Sequence, residues 1–323
     1  MPLLYAGIDE AGYGPLLGPL CVGLAAVRID DWEPGSPAPD LWRRLDKWVT
    51  RSPREAPARV PVADSKKLKL SNALKTKHPL THLELGVLAW LRTAEAPAST
   101  DDELFETLGV TLEPHPWYAA DPTPLPLAND PGVLDIAAAR LRGAGDLGVS
   151  LVDLRCLAVG ETAFNGCVRK EGSKAAVTAL AICRLLRDAL DRQGPDTELR
   201  IVCDRQSGRT DYTDLLRRAW PDARIECDAR TPSATHYRVE AEGRDFAVLF
   251  QTEAEEAHFP VALASMAAKL VRELAMARLN RYWCARMPEL KPTAGYRQDG
   301  ARWLRDLRGV ITPAEQSTMV RLA

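Results

Sequence analysis

Hydrophobic positions recur along this chain with two periods, and the changes between them divide it into elements. Leu3–Ile8 is a short apolar run that reads as a buried strand, with two carboxylates, Asp9 and Glu10, at its end. A Gly-x-Gly-Pro turn follows, then a second apolar run, Leu20–Val27. Side chains alternate across a strand, so Asp9 and Glu10 are expected where the strand gives way to the turn. Leu41, Trp42, Leu45 and Trp48 form an amphipathic stretch that leads into a Pro- and Arg-rich loop. Helical spacing is expected over Leu83–Leu91 and near Ile136–Leu141. It is strongest over Ala175–Arg192, which Gly194-Pro195 ends.

Leu199–Asp204 is another apolar run that delivers a carboxylate, and a helix to Trp220 follows. Arg224–Cys227 reads as a short strand. His236–Glu242 and Phe246–Phe250 flank Gly243-Arg-Asp245 as a hairpin. After Glu253, Glu255 and Glu256 a long helix is expected from Val261 to about Arg286. It opens with small residues, Ala264–Ala268, suited to close packing on a sheet. Arg272, Arg278, Arg281 and Arg286 mark a face expected to be solvated. Helices near Ala301–Leu307 and from Pro313 complete the chain, and a chain turn is expected at Phe164-Asn165-Gly166.

Between His78 and Gly148 the pattern breaks into an acidic patch, Asp101–Glu103, and a Pro-rich segment, Glu113 to Pro131. So many prolines predict irregular covering structure, an insertion over 78–148 within a single domain spanning 1–323. The 323 residues are 46% hydrophobic and 27% charged, as expected of a globular protein. No apolar run is long enough to span a bilayer, and the N-terminus lacks the basic-then-apolar layout of a secretory signal. Seven scattered cysteines without a C-x-x-C pair read as reduced. A cytoplasmic monomer is expected. The five histidines show no zinc spacing, and a net charge of −2 means that a nucleic-acid partner would need a local basic surface.

Two charges beside a core strand are costly to desolvate unless something neutralises them. Mg²⁺ suits the task, since it takes oxygen ligands and is often held by one or two carboxylates; a solvated strand end is the alternative. Gly12, Gly14 and Gly18 superficially resemble a dinucleotide fingerprint, but Pro15 and Pro19 interrupt the helix that it requires. Asp64-Ser65-Lys66-Lys67 reads either as a helix cap with flanking charges or as a set of phosphate ligands. Three strands ending in acids suggest a site of four carboxylates: Asp9, Glu10, Asp204 and one of the 253–256 glutamates. Such a group repels itself unless cations fill it. Two divalent ions would do so, activating water and stabilising the leaving oxygen of a phosphodiester.

Asp9-Glu10-Ala-Gly12-Tyr13-Gly14-Pro15, Asp64-Ser65-Lys66-Lys67-Leu68 and Ala264-Ser265-Met-Ala-Ala-Lys269 occur in that order, with Asp204 between the last two. Together they resemble the type 2 ribonuclease H family (ribonucleases HII and HIII), mostly outside residues 78–148. The resemblance implies an α/β, ribonuclease H-like mixed sheet flanked by helices, here with the Pro-rich insertion and C-terminal helices. It also implies Mg²⁺ or Mn²⁺, and endonucleolytic cleavage of the RNA strand of RNA/DNA hybrids to leave a 3′-hydroxyl. Asp9, Glu10 and Asp204 match three of the family's metal-binding acids. Counting back without gaps from Ser265, the fourth falls on Glu255, where ribonuclease HII carries Asp and ribonuclease HIII resembles this chain. Glu256 remains open, because Pro260 offers a competing register.

Gly12-Tyr13-Gly14 corresponds to the family loop whose backbone reads the ribose 2′-hydroxyl, with Tyr13 where ribonuclease HII has Arg or Lys. Gly295-Tyr296 resembles a Gly-Tyr pair whose ring stacks near the ribose; Gln298 and Ala301 stand where Thr and His are expected. Ser65, Lys66, Lys67, Lys174 and Lys269 are the candidate contacts to the nucleic-acid backbone, Lys269 with a structural share. A nucleic-acid-binding module without turnover and a same-fold nuclease with another substrate are the alternatives.

Overall fold

The computed structural model describes residues 1–119, 121–206 and 208–322. The opening strands, β1 (Leu3–Ala11) and β2 (Leu20–Ile29), are followed by a small parallel pair, β3 (Val49–Thr50) and β4 (Val60–Pro61). Then come β5 (Val149–Val159), β6 (Glu198–Asp204), β7 (Arg224–Arg230), β8 (Ala234–Ala241) and β9 (Arg244–Gln251). Seven of them make one mixed sheet in the order β5-β2-β1-β6-β9-β8-β7. The central strands β1, β6 and β9 run parallel, whereas the outer pairings are antiparallel. The carboxyl ends of three neighbouring strands therefore share one edge, where open α/β sheets place their ligands.

Helices cover both faces. In chain order they are α1 (Leu41–Arg44), α2 (Ser65–Leu68), α3 (Thr81–Thr93), α4 (Asp101–Thr107), α5 (Pro131–Leu141), α6 (Glu161–Glu171) and α7 (Lys174–Asp191). They continue as α8 (Thr213–Ala219), α9 (Ala254–Ala257), α10 (Phe259–Arg286), α11 (Arg297–Asp306) and α12 (Pro313–Met319). Strand alternation sorts the core into two layers. Leu3 and Tyr5 join α3 and α10 on one face, while Leu4, Ala6 and Ile8 join α7 and α8 on the other. Helix α10 lies so close to β1 that a Cβ at Gly7 would stand 2.1 Å from the Val261 nitrogen. Only glycine permits that contact. Trp42 and Trp90 then close edge-on around Phe259, with ring centroids 5.3 and 5.6 Å away.

Several expectations change. Residues 78–148 are not irregular cover: they carry α3, α4 and α5, and Leu83, Val87, Leu88 and Trp90 lie in the same core as α10. The prolines that suggested irregular structure cluster between α4 and α5, and Pro131 itself occupies the first turn of α5, where a missing N–H does no harm. Phe164-Asn165-Gly166 lies inside α6 rather than at a turn. Strand β5 escaped notice because Asp153 and Arg155 interrupt its apolar alternation. The hairpin turns at Glu242-Gly243, both left-handed, in the two-residue geometry that suits strand twist. Arg272 and Arg278 are buried, not solvated. Among the described residues no helix is long and apolar enough to cross a membrane.

Candidate metal centre

Strand β1 does not end before its two carboxylates. Asp9 pairs with Gly23 and Glu10 with Val22, and the ladder continues to Ala11. Alternation therefore persists through the pair. Asp9 lies on the α10 face, near Ser265, while Glu10 opens on the α7 side into a cleft of about 290 Å³ shared with Tyr13, Ala175, Gln206, Gly208 and Arg209. The expectation that both sit where the strand gives way to the turn is corrected accordingly: they lie within the ladder, one on each face.

Asp204 ends β6. Because Ile8 pairs with Cys203, the next step along the two parallel strands sets Asp204 beside Asp9. Its Oδ1 accepts from the Ala254 N–H at 3.0 Å, at the start of α9. Glu255, one residue on, is buried to 8% exposure, and its Oε2 has no hydrogen-bond partner among the described residues. Glu256 points outward and pairs with Lys67 at the surface.

The electrostatics follow from this crowding. Burial, then Glu10, Asp204 and Glu255, hold the Asp9 carboxyl well above the usual carboxylate range, against the hydroxyl of Ser265. Burial and the charge of Asp204 push Glu10 up to about 7, with Lys66 pulling the other way. Asp204 and Glu255 are raised too, chiefly by burial. Lys66 is the balancing cation. Burial works against its charge, yet Asp64, Glu255, Asp9 and Asp204 together hold it above its ordinary value. A buried carboxylate oxygen without a partner, in a group whose members raise one another, fits a hard divalent cation such as Mg²⁺ or Mn²⁺. The fit is to a spread set of acids. Among the described residues one triad of metal-ligating atoms lies mutually within 4.8 Å, and it is elsewhere: Glu113, His115 and Glu161.

The loop after β1 is held from behind. Gly12 has φ +90, and a Cβ there would meet the Arg272 side chain at 2.6 Å. Arg272 donates to the carbonyls of Leu17, Pro19 and Ala294. Arg321 donates to those of Gly12 at 2.7 Å and Tyr13 at 2.8 Å. Burial and nearby Arg272 bring the Arg321 guanidinium down to about 10. Lys174 stands 5.1 Å from the Tyr13 ring centroid, and Gly14 lines a neighbouring concavity with Lys174, Arg297 and Arg321.

The remaining candidates divide. Asp64 caps α2 by accepting from the Lys66 N–H, so the cap reading of that motif describes its backbone. Ser65 is buried and accepts from Ser265 at 2.9 Å, tying α2 to α10 behind the acids. Lys67 turns away to Glu256. Lys269 is buried against Glu273 at 2.8 Å and lies 6.0 Å from the ring of Tyr296, which is itself half exposed. The sequence marked Arg272 only as part of a solvated face and did not mark Arg321, Gln206 or Arg209 as site residues. Their roles depend on contacts with chain far away, which no local pattern signals.

No protein-family model matches the sequence, and no curated protein matches it. Among solved structures the chain aligns with RNase HII from Archaeoglobus fulgidus, determined in complex with PCNA. The TM-score is 0.43 and the identity 15%, over 99% of this chain and 94% of that one. Ribonuclease H2 from Pyrococcus horikoshii OT3 gives 0.43 and 16%, over 99% and 92%. Bst-RNase HIII, in complex with Mn²⁺, gives 0.41 and 17%, over 99% and 66%. At identities and TM-scores this low the likeness assigns no function.

Proposed function

We propose that the chain is a divalent-metal-dependent endonuclease that hydrolyses the RNA strand of RNA/DNA hybrids. The observation that supports this reading is the gathering of Asp9, Asp204 and Glu255 at the carboxyl edge of parallel strands, with Glu10 at the mouth of the adjoining cleft. Asp9, Asp204 and Glu255 would hold Mg²⁺ or Mn²⁺ on the α10 side, and Glu10 would complete the set from the other. The ions, when bound, supply activation of water and stabilisation of the leaving oxygen at a phosphodiester.

The chain's own residues do the rest. Lys66 places an ammonium beside the acids, where it offsets their repulsion and meets a phosphate of the scissile strand. Arg272 and Arg321 fix the path of the Gly12–Gly14 backbone beside the cleft, presenting it to a sugar edge. The Tyr13 ring, backed by Lys174, offers a stacking face, and Arg209 adds positive charge to the same cleft.

The test is cleavage of an end-labelled hybrid with Mg²⁺ or Mn²⁺, beside duplex DNA and duplex RNA. Hybrid-selective products with 3′-hydroxyl ends are expected. Equal rates on all three duplexes, or an Asp204→Asn variant as fast as the parent, would sink the proposal. A second reading is hybrid binding without turnover, since Tyr13 and Glu255 stand where ribonuclease HII carries a cation and Asp. Retained hybrid binding with no cleavage under either metal would decide for it.

A further inference from the structure

We propose that Glu113, His115 and Glu161 form a second metal site, for a divalent transition ion such as Zn²⁺ or Co²⁺, separate from the strand-end acids. The three side chains offer one imidazole nitrogen and two carboxylate oxygens that all lie within 4.8 Å of one another. One nitrogen with two oxygens suits a borderline ion better than Mg²⁺, which prefers oxygen alone.

Each ligand is already oriented by other contacts, as working metal sites require. The Glu113 carboxylate sits at the start of α6, accepting from the N–H groups of Ala163 at 2.7 Å and Thr162 at 3.0 Å. The His115 ring stacks on Trp117, centroids 4.5 Å apart, with Nε2 2.8 Å from Glu113 Oε2. Glu161 is fully buried, and its Oε1 accepts from Tyr118 at 2.7 Å and the Gly18 N–H at 3.0 Å. Its Oε2 is equally buried and has no hydrogen-bond partner among the described residues. Leaving such an oxygen unmet is costly, and a cation beside it removes the cost.

The placement gives the site a task. Glu113 and His115 belong to the segment between α4 and α5, whereas Glu161 holds Gly18 at the far end of the loop that begins at Gly12. An ion on all three would fasten that segment to the loop beside the acid centre. Glu113 and His115 remain partly accessible, which provides a route for the ion to enter.

The experiment loads the metal-stripped full chain with Co²⁺ in the presence of excess Mg²⁺, and counts retained cobalt while recording its visible spectrum. One retained equivalent with a nitrogen-and-oxygen ligand-field spectrum is expected. Glu161→Gln keeps an oxygen for Tyr118 and Gly18, so its fold without metal should melt near the parent temperature while its affinity for Co²⁺ falls at least tenfold. His115→Gln should lose the equivalent as well, and serves alone if the first variant does not fold. Asp204→Asn should retain it. No Mg²⁺-resistant equivalent in the parent, or one that survives both His115→Gln and Glu161→Gln, overturns the site and leaves Glu161 a buried acid that keeps its proton.

Discussion

At the start of α4, Asp101 is fully buried and meets Arg278 at 2.7 and 2.8 Å. At the end of β1, Asp9 is buried almost as deeply and meets three other carboxylates. Burial disfavours the charge of both. At Asp101 the guanidinium and the Thr123 N–H outweigh it and hold the carboxyl below its ordinary value; at Asp9 the neighbours add to it. The same chain thus supplies a closely paired cation where a carboxylate serves the fold, and sets Lys66 against four carboxylates at the strand ends. The difference teaches that the carboxylates at the strand ends, unlike Asp101, are not each matched by a cation of the protein, which is the ground on which a bound metal is proposed there.

The strongest way to break this comparison is to remove one charge from each region. Under the proposed function, Asp204→Asn should lower hybrid cleavage by about a thousandfold or more, because it removes one of the acids assigned there to the metal ions. The same variant should raise the melting temperature of the metal-free protein, since one repulsive charge has gone. Single-turnover cleavage and a thermal melt in chelator read the two effects. Arg278→Ala should do the reverse and destabilise the fold by about 3 kcal/mol, because it leaves Asp101 buried without its partner. Urea denaturation measures it. An Arg278→Ala variant as stable as the parent would mean that Asp101 simply takes up a proton.

How legible the two regions are differs for the same physical reason. The strand-end acids could be read because each follows an apolar run directly, so the residues before it declare both the strand and its end. Asp9 and Asp204 required only that two such strands lie parallel and adjacent. Placing Asp9 and Glu10 where the strand gives way to the turn went astray because a strand can carry a carboxylate on each face when its end borders a cleft. Arg278 looked like part of a solvated basic face because Asp101 lies far away in sequence, and nothing local announces the pairing. Within 78–148 the helical spacing announced α3 and α5, whereas α4 was hidden in the acidic patch Asp101–Glu103 and β5 by its alternating charges. Glu161 gave no signal at all, being one acid in a half-polar helix whose partners sit on two other segments.

A smaller effect sharpens the contrast through pH. Glu10 is pushed from 4.5 up to about 7 by burial and by Asp204. Between those values the folded protein holds a proton that the unfolded chain has released, so metal-free stability falls as pH rises from about 5 toward 7.5, by on the order of 2 kcal/mol. Mg²⁺ or Mn²⁺ competes with that proton and should cancel the loss, stabilising the protein more at pH 7.5 than at pH 5. Glu10→Gln should flatten this part of the profile. Melts across pH with and without the cation check the sign; a metal-free profile that rises with pH through this window would reverse the argument.

The finest test lies between neighbours. Glu255 is buried with an unpartnered oxygen, and Glu256 is half exposed and paired with Lys67. Exposed ion pairs contribute little, because water and salt already screen them. Glu256→Gln and Lys67→Ala should therefore leave both the melting temperature and the stabilisation by Mg²⁺ essentially where they are. Glu255→Gln removes a buried charge near Asp204 and Asp9, so it should raise metal-free stability while weakening the response to Mg²⁺. The two glutamates are adjacent in one short helix, which makes the pair of variants a control for any general effect of losing a negative charge there. If Glu256→Gln blunted the response to Mg²⁺ and Glu255→Gln did not, the register counted back from Pro260 would be the correct one, and the fourth acid would sit at the rim of the group rather than within it.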